Sequence, residues 1–258
     1  MREPFFAANW KMNKTPAQTR EYARAFVPLA DKFRERAAVV LCAPFIDLVP
    51  LHEELLLADS DTYIDIGAQD VFWETEGAFT GEISPVMLAG ENVQYCIVGH
   101  SERRRLFGET DEMVAKKVFA LIAADIVPIV CIGETLEENR MGKTRERVIA
   151  QIQASCTQLT EEQRGNIVIA YEPVWAIGTG MSDTPENANE TIACIRDAAP
   201  GLSDTTIIYG GSMNPSNARA LCAQPNIDGG LVGSSCVDPV NFAALIEHGL
   251  QGWDDAKP

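Results

Sequence analysis

Short, nearly uninterrupted apolar runs alternate along the chain with longer stretches of mixed polarity. The runs Phe5–Asn9, Val39–Ala43, Tyr63–Ala68, Tyr95–Gly99, Val127–Ile132, Ile167–Tyr171, Thr206–Tyr209 and Gly230–Gly233 have the length of strands. They lack the in–out alternation of a half-exposed sheet. They therefore read as strands of a parallel sheet covered on both faces.

The stretches between them have helical character. Ala17–Arg36 is entered through Thr15-Pro16, a cap followed by a first-turn proline. Asp111–Ala124 gathers Met113, Val114, Val118, Leu121 and Ile122 on one face. Thr144–Cys156, Pro185–Ala198 (capped by Thr184) and Pro215–Leu221 follow the same logic. Asp238-Pro239 opens a last helix that His248-Gly249 is expected to close, leaving Gln251–Pro258 as a loose polar tail.

Strict alternation of this kind fits an open doubly wound sheet or a closed (β/α)8 barrel. Eight strands, a length of 258 residues and the lack of any linker favour the barrel, as one domain spanning residues 1–258. There is no internal repeat and no low-complexity segment.

Charge narrows the partners. Twenty-one basic against 37 acidic residues give a net charge of −16. Such a surface repels nucleic acid and anionic membranes, so neither is expected as a partner. A small anion remains open to it if a local pocket overrides the global field. The seven cysteines are odd in number and contain no C-x-x-C pair, so they read as small buried hydrophobes in a reducing compartment, not as disulfides or a zinc site. The first apolar stretch is shorter than a signal-peptide core, and no run reaches the length of a membrane span. The sequons Asn13-Lys14-Thr15 and Asn189-Glu190-Thr191 then read as chance, and a cytoplasmic location is expected.

In a barrel the chemistry gathers where strands end and loops begin. Asn9 and Lys11 follow the first strand, His100 the fourth, Glu172 the sixth, Gly210-Gly211-Ser212 the seventh and Gly233-Ser234 the eighth. Glu172 is a candidate general base once desolvated, or else a solvated strand-end carboxylate. The segment after it, Pro173-Val174-Trp175-Ala176-Ile177-Gly178-Thr179-Gly180, has an apolar middle between a stiff proline and free glycines, the composition of a water-excluding lid. His100 precedes Ser101-Glu102-Arg103-Arg104, which read as a first helical turn. A helix N-terminus favours a neutral imidazole, able to polarise a carbonyl, and the plainer reading is a structural histidine. Lys11 is a candidate anion site, or a surface lysine paired with an acid. The glycine turns after the last two strands suit phosphate bound by backbone N–H groups.

Asp70–Ile83 is long for a barrel loop and carries Phe72, Trp73 and Phe79, with Phe79-Thr80-Gly81-Glu82 at its expected tip. Apolar residues on a projecting loop call for a partner surface, so an interlocking contact between two copies is expected, the alternative being a loop folded back on its own barrel. Phosphate-loop, zinc-helix and nucleophile-elbow patterns are all incomplete.

Taken together, Asn9-Trp10-Lys11-Met12-Asn13, Gly77-Ala78-Phe79-Thr80-Gly81-Glu82, Val98-Gly99-His100-Ser101-Glu102-Arg103-Arg104, Cys131-Ile132-Gly133-Glu134, Ala170–Gly180, Tyr209-Gly210-Gly211-Ser212 and Leu231-Val232-Gly233 resemble the triosephosphate isomerase family, in its order and across nearly the whole chain. The resemblance implies a TIM barrel that interconverts dihydroxyacetone phosphate and glyceraldehyde 3-phosphate through an enediolate, without metal or organic cofactor. It implies Glu172 as the base, His100 as the neutral electrophile and Lys11 as the cation that steadies the enediolate. Asn9 would hold substrate, Glu102 would support Lys11 and His100, and Gly178, Ser212, Gly233 and Ser234 would bind the phosphate. Thr80 would reach the Asn9 and Lys11 region of a second subunit. The family usually has two glycines after the last strand, where this chain has Gly233-Ser234. If position 234 needs a left-handed backbone, serine is strained there. Gly230 replaces a larger residue and is expected to loosen its strand. Another phosphosugar barrel enzyme and a non-catalytic scaffold are the competing readings, although no lysine sits in a strand core as a Schiff-base aldolase would need.

Overall fold

A computed structural model describes residues 2–59, 63–156, 158–177 and 183–256. Eight parallel strands close on themselves in sequence order: β1 (Phe5–Asn9), β2 (Ala38–Ala43), β3 (Asp65–Ala68), β4 (Tyr95–Val98), β5 (Val127–Ile132), β6 (Val168–Tyr171), β7 (Thr206–Tyr209) and β8 (Gly229–Val232). Phe5 pairs with Ala38 on one side and Gly229 on the other, which completes the ring.

The uninterrupted apolar runs follow from this closure. Alternate residues point inward, where Ala7, Val40, Ile97, Ile129, Ala170 and Leu231 fill the barrel. Their neighbours point outward, and Phe6, Ala8, Leu41, Val98 and Ile169 pack under the helices. Both faces are thereby removed from water.

The surrounding helices are α1 (Pro16–Ala30), α2 (Leu48–Leu57), α3 (Pro85–Gly90), α4 (Ser101–Phe107), α5 (Asp111–Ala123), α6 (Leu136–Arg140), α7 (Thr144–Cys156), α8 (Glu161–Gly165), α9 (Pro185–Arg196), α10 (Ala218–Cys222) and α11 (Pro239–Ala256). Thr15 caps α1 in a capping box with Gln18, and Pro16 occupies its first turn. The expected single helix to Arg36 ends earlier, at Ala30, and passes into a 3₁₀ turn over Asp31–Phe33.

The last helix departs most from expectation. Gly249 does not end it; α11 continues to Ala256, so residues 251–256 are helical and not a loose tail. Both glycines in it serve close approach. A Cβ at Gly249 would lie 2.6 Å from the Phe6 ring, and one at Gly252 would lie 2.1 Å from the Arg219 carbonyl oxygen. Ion pairs Arg36–Asp254 (2.6 Å) and Arg219–Asp255 (2.9 Å) fasten the end.

The strand β8 begins one residue earlier than expected, so Gly233 lies in the loop and not in the sheet. Gly230 does not leave a void. A Cβ there would come within 2.3 Å of Met213 Sδ, so the methionine of the preceding loop already fills the space.

Candidate active site

The mouth at the carboxyl ends of the strands encloses a cavity of about 340 Å³ that Asn9, Lys11, His100, Glu172, Ser212, Gly233 and Ser234 all line. The sequence-predicted residues from β1, β4, β6, β7 and β8 therefore meet in one place. Gly178 lies outside the described residues, as do Thr179 and Gly180, the end of the segment expected to form a lid.

Glu172 leaves β6 and is only 2% exposed. Its Oε2 accepts a hydrogen bond from the Ser101 backbone N–H at 2.9 Å. That donor belongs to the first turn of α4, where backbone N–H groups have no helical partner. Oε1 accepts no hydrogen bond and stands 3.1 Å from His100 Nε2. The carboxylate reaches this place because two glycines make room. A Cβ at Gly133 would lie 1.7 Å from the Glu172 carbonyl oxygen, and one at Gly210 would lie 2.7 Å from its Cγ.

His100 is the N-cap of α4, and its Nδ1 accepts a hydrogen bond from the Glu102 backbone N–H at 3.2 Å. An imidazole nitrogen that accepts carries no proton. The ring is then neutral, with its one N–H at Nε2, facing the cavity.

Lys11 follows β1 with a φ of 52°, a left-handed backbone that is unusual for a side-chain-bearing residue. Three contacts hold it. Its N–H donates to Asn9 Oδ1 at 3.0 Å, its carbonyl accepts from Gln69 Nε2 at 3.0 Å, and its Nζ donates to Glu102 Oε1 at 2.6 Å. Partial burial works against the charge on Glu102, but the hydrogen bond and charge of Lys11, with help from Arg105, outweigh it and hold the carboxyl below its ordinary pKa. Lys11 is thus paired with an acid and also lines the site.

The described residues on either side of positions 178–182 are held by hydrogen bonds. Trp175 Nε1 donates to Glu134 Oε1 at 2.8 Å, and Ser212 Oγ donates to the Ala176 carbonyl at 2.6 Å. At the far end the Asp183 N–H donates to the Tyr209 hydroxyl at 3.3 Å. Burial raises the pKa of Glu134, while Trp175, Asn139 and Tyr171 act in the opposite sense by donating to it. The Ser212 hydroxyl is thus taken up by the Ala176 carbonyl.

Ser234 opens a 3₁₀ turn over Ser234–Cys236 and has no left-handed backbone, so the strain expected of a serine there does not arise. Residues 74–82 are exposed, including Thr80. Phe72 stacks on Trp73 and lies tilted against Phe79, with ring centroids 4.1 Å and 4.5 Å apart.

Gln69 and Glu134 were not singled out from the sequence. Each stands one or two residues past its strand, β3 or β5, so the rule that found His100 and Glu172 reaches them too. Among the described residues, no three His, Cys, Asp or Glu side chains converge in a metal-ligating arrangement.

Fold and mouth together define a (β/α)8-barrel enzyme whose buried carboxylate, neutral imidazole and ammonium face one small cavity. A profile described as triosephosphate isomerase matches residues 4–249. Proteins named triosephosphate isomerase from Caldanaerobacter subterraneus subsp. tengcongensis and Solibacter usitatus are 44% and 45% identical to the chain. The alignments cover 96% and 95% of this chain and 100% and 99% of those proteins. One from Dictyoglomus thermophilum is 44% identical, over 96% of this chain and 100% of its own length. The chain belongs to the triosephosphate isomerase family.

Proposed function

We propose that the chain interconverts dihydroxyacetone phosphate and D-glyceraldehyde 3-phosphate, a step of glycolysis and gluconeogenesis, with Glu172 as base and His100 as electrophile. The observation that carries the assignment is the approach of Glu172 Oε1 to within 3.1 Å of His100 Nε2 in a shared cavity.

The carbon-bound proton next to the substrate carbonyl is weakly acidic. Glu172 removes it as negative charge moves onto the carbonyl oxygen. His100 Nε2–H donates to that oxygen, and Lys11 Nζ lends a positive charge where the enediolate forms. His100 then carries protons between the two oxygens, and Glu172 returns its proton to the neighbouring carbon. Asn9 fixes the Lys11 backbone and faces the substrate. The phosphate binds against the backbone N–H groups of Ser212, Gly233 and Ser234, and Gly178 adds a fourth when the lid closes. Closure matters because an enediolate exposed to water expels its phosphate.

The protein forms a homodimer through the loop of residues 70–83. Met12, beside Lys11, is 97% exposed, and Phe79, Ile46, Val86, Met87 and Phe107 are exposed as well. An apolar surface of that extent calls for a covering partner, and Thr80 from the partner's loop would then border Lys11. A cytoplasmic location fits seven free cysteines, of which six are buried. No described helix is long and apolar enough to cross a membrane.

A coupled assay on dihydroxyacetone phosphate tests the reaction. Steady turnover that Glu172→Gln abolishes is expected. Lack of turnover, with phosphorylated ligands still bound, favours a scaffold.

A further inference from the structure

Three residues past Lys11 lies a second lysine that points away from the cavity. Lys14 has a φ of 77°, again left-handed. Its Nζ donates to the Val237 carbonyl at 2.8 Å and sits 4.4 Å from the Tyr22 ring centroid and 5.2 Å from that of Trp10. The Tyr22 hydroxyl donates to the Cys236 carbonyl at 2.9 Å, and Asn13 Nδ2 to the Trp10 carbonyl at 2.6 Å.

Cys236 and Val237 close the C-terminal end of the 3₁₀ turn whose beginning, Gly233 and Ser234, lines the cavity. Carbonyl groups at such an end carry partial negative charge and favour a cation. One ammonium thus binds the β1 loop, the first helix and the β8 turn into a single unit. Burial lowers the pKa of Lys14 against the pull of neighbouring acids, among them Asp238 and Asp47. The two loops also touch directly, since a Cβ on Gly233 would come 3.3 Å from Lys11 Cε. A left-handed lysine is unfavourable on its own, and it persists where surrounding contacts over-determine it.

We propose that Lys14 is a positioning residue for the phosphate end of the site, fixing the Gly233–Ser234 turn against the loop that carries Lys11. It touches neither the substrate nor the reacting atoms. The inference rests on the reading above that Gly233 and Ser234 receive the phosphate.

Lys14→Gly tests it with little risk to folding, because glycine accepts the left-handed backbone. Four readouts are taken on the full chain: competitive inhibition by inorganic phosphate, kcat and KM for glyceraldehyde 3-phosphate, kcat/KM for phosphate-free glyceraldehyde, and Tm. Lys14→Gly is expected to weaken phosphate inhibition and raise KM about tenfold, as for loss of one good hydrogen bond. Its kcat, its activity on glyceraldehyde and its Tm stay near those of the parent. Lys14→Arg restores most of the phosphate affinity. Tyr22→Phe, which removes the hydroxyl that bonds to Cys236, shows the same split in smaller measure. Parental phosphate inhibition in Lys14→Gly overturns the inference, as do equal losses on both substrates. A parent chain that phosphate does not inhibit overturns instead the reading on which it rests.

Discussion

The carboxylate of Glu172 is held by the backbone N–H of Ser101, 71 residues earlier in the chain, at the first turn of the helix that His100 caps. Carboxylate and imidazole therefore share one scaffold element. Both are set by the start of α4, and a shift of that helix moves them together.

Shortening the base separates position from chemistry. Glu172→Asp keeps the charge but withdraws the carboxylate by one methylene. Turnover is expected to fall about 10²-fold or more, with KM little changed, because a misplacement of about 1 Å costs that much. Steady-state kinetics on glyceraldehyde 3-phosphate check this, and parental kcat would exclude Glu172 as the base.

The lid anchor has its own signature. Trp175→Phe keeps the ring but removes the donor to Glu134, leaving a buried carboxyl one partner short. The closed lid should then be less secure, with kcat/KM down about tenfold, as for loss of one hydrogen bond to a carboxylate. More of the enediolate should escape by losing phosphate. Inorganic phosphate released per turnover reports this directly, and an unchanged ratio would separate Trp175 from lid closure.

Asp65 makes stability depend on pH. Burial raises its pKa from an ordinary 3.8 to about 6. Between about pH 4 and 6 the folded chain holds the proton more tightly than the unfolded chain. Stability from this group therefore falls as pH rises through that window and is lowest above it. Asp65→Asn should be more stable than the parent at pH 8, by up to about 3 kcal/mol, and equal to it near pH 4. Urea unfolding at the two pH values checks the sign, and a gain that is larger at pH 4 would contradict it.

A buried ion cluster supports the root of the 70–83 loop. Lys117 Nζ bridges Asp70 Oδ1 and Glu109 Oε1, each at 2.6 Å, and Arg103 lies 2.8 Å from Asp70 Oδ2. Lys117→Met leaves two buried carboxylates facing one guanidinium. A loss of about 3–5 kcal/mol is expected, as for other broken buried pairs. Urea denaturation at fixed protein concentration measures it, and a loss under about 1 kcal/mol would mean that Arg103 alone neutralises the pair.

Much of this was legible in the sequence, for physical reasons that also mark the limits. Strands buried on both faces must be apolar throughout, so their runs stood out and their ends located Glu172, His100 and Lys11. Glycine carries two messages that a sequence does not separate. Gly249 looked like a helix stop, yet it and Gly252 let α11 approach Phe6 and the carbonyl of Arg219. Gly230 looked like a weakness, although Met213, distant in sequence, fills its place. Glu134 and Gln69 support the lid and the strained Lys11 loop through contacts that only the closed ring brings together. Ser234 looked strained because its backbone angles depend on the 3₁₀ turn that follows it.

The central claim is proton transfer by Glu172 between adjacent carbons. It is tested most directly by running the reaction from glyceraldehyde 3-phosphate in D₂O and reading the product by proton NMR, for the parent and for Glu172→Gln. Deuterium at C1 of dihydroxyacetone phosphate from the parent, with product formation by Glu172→Gln almost abolished, is the expected result. Product formed as fast by Glu172→Gln as by the parent would contradict it.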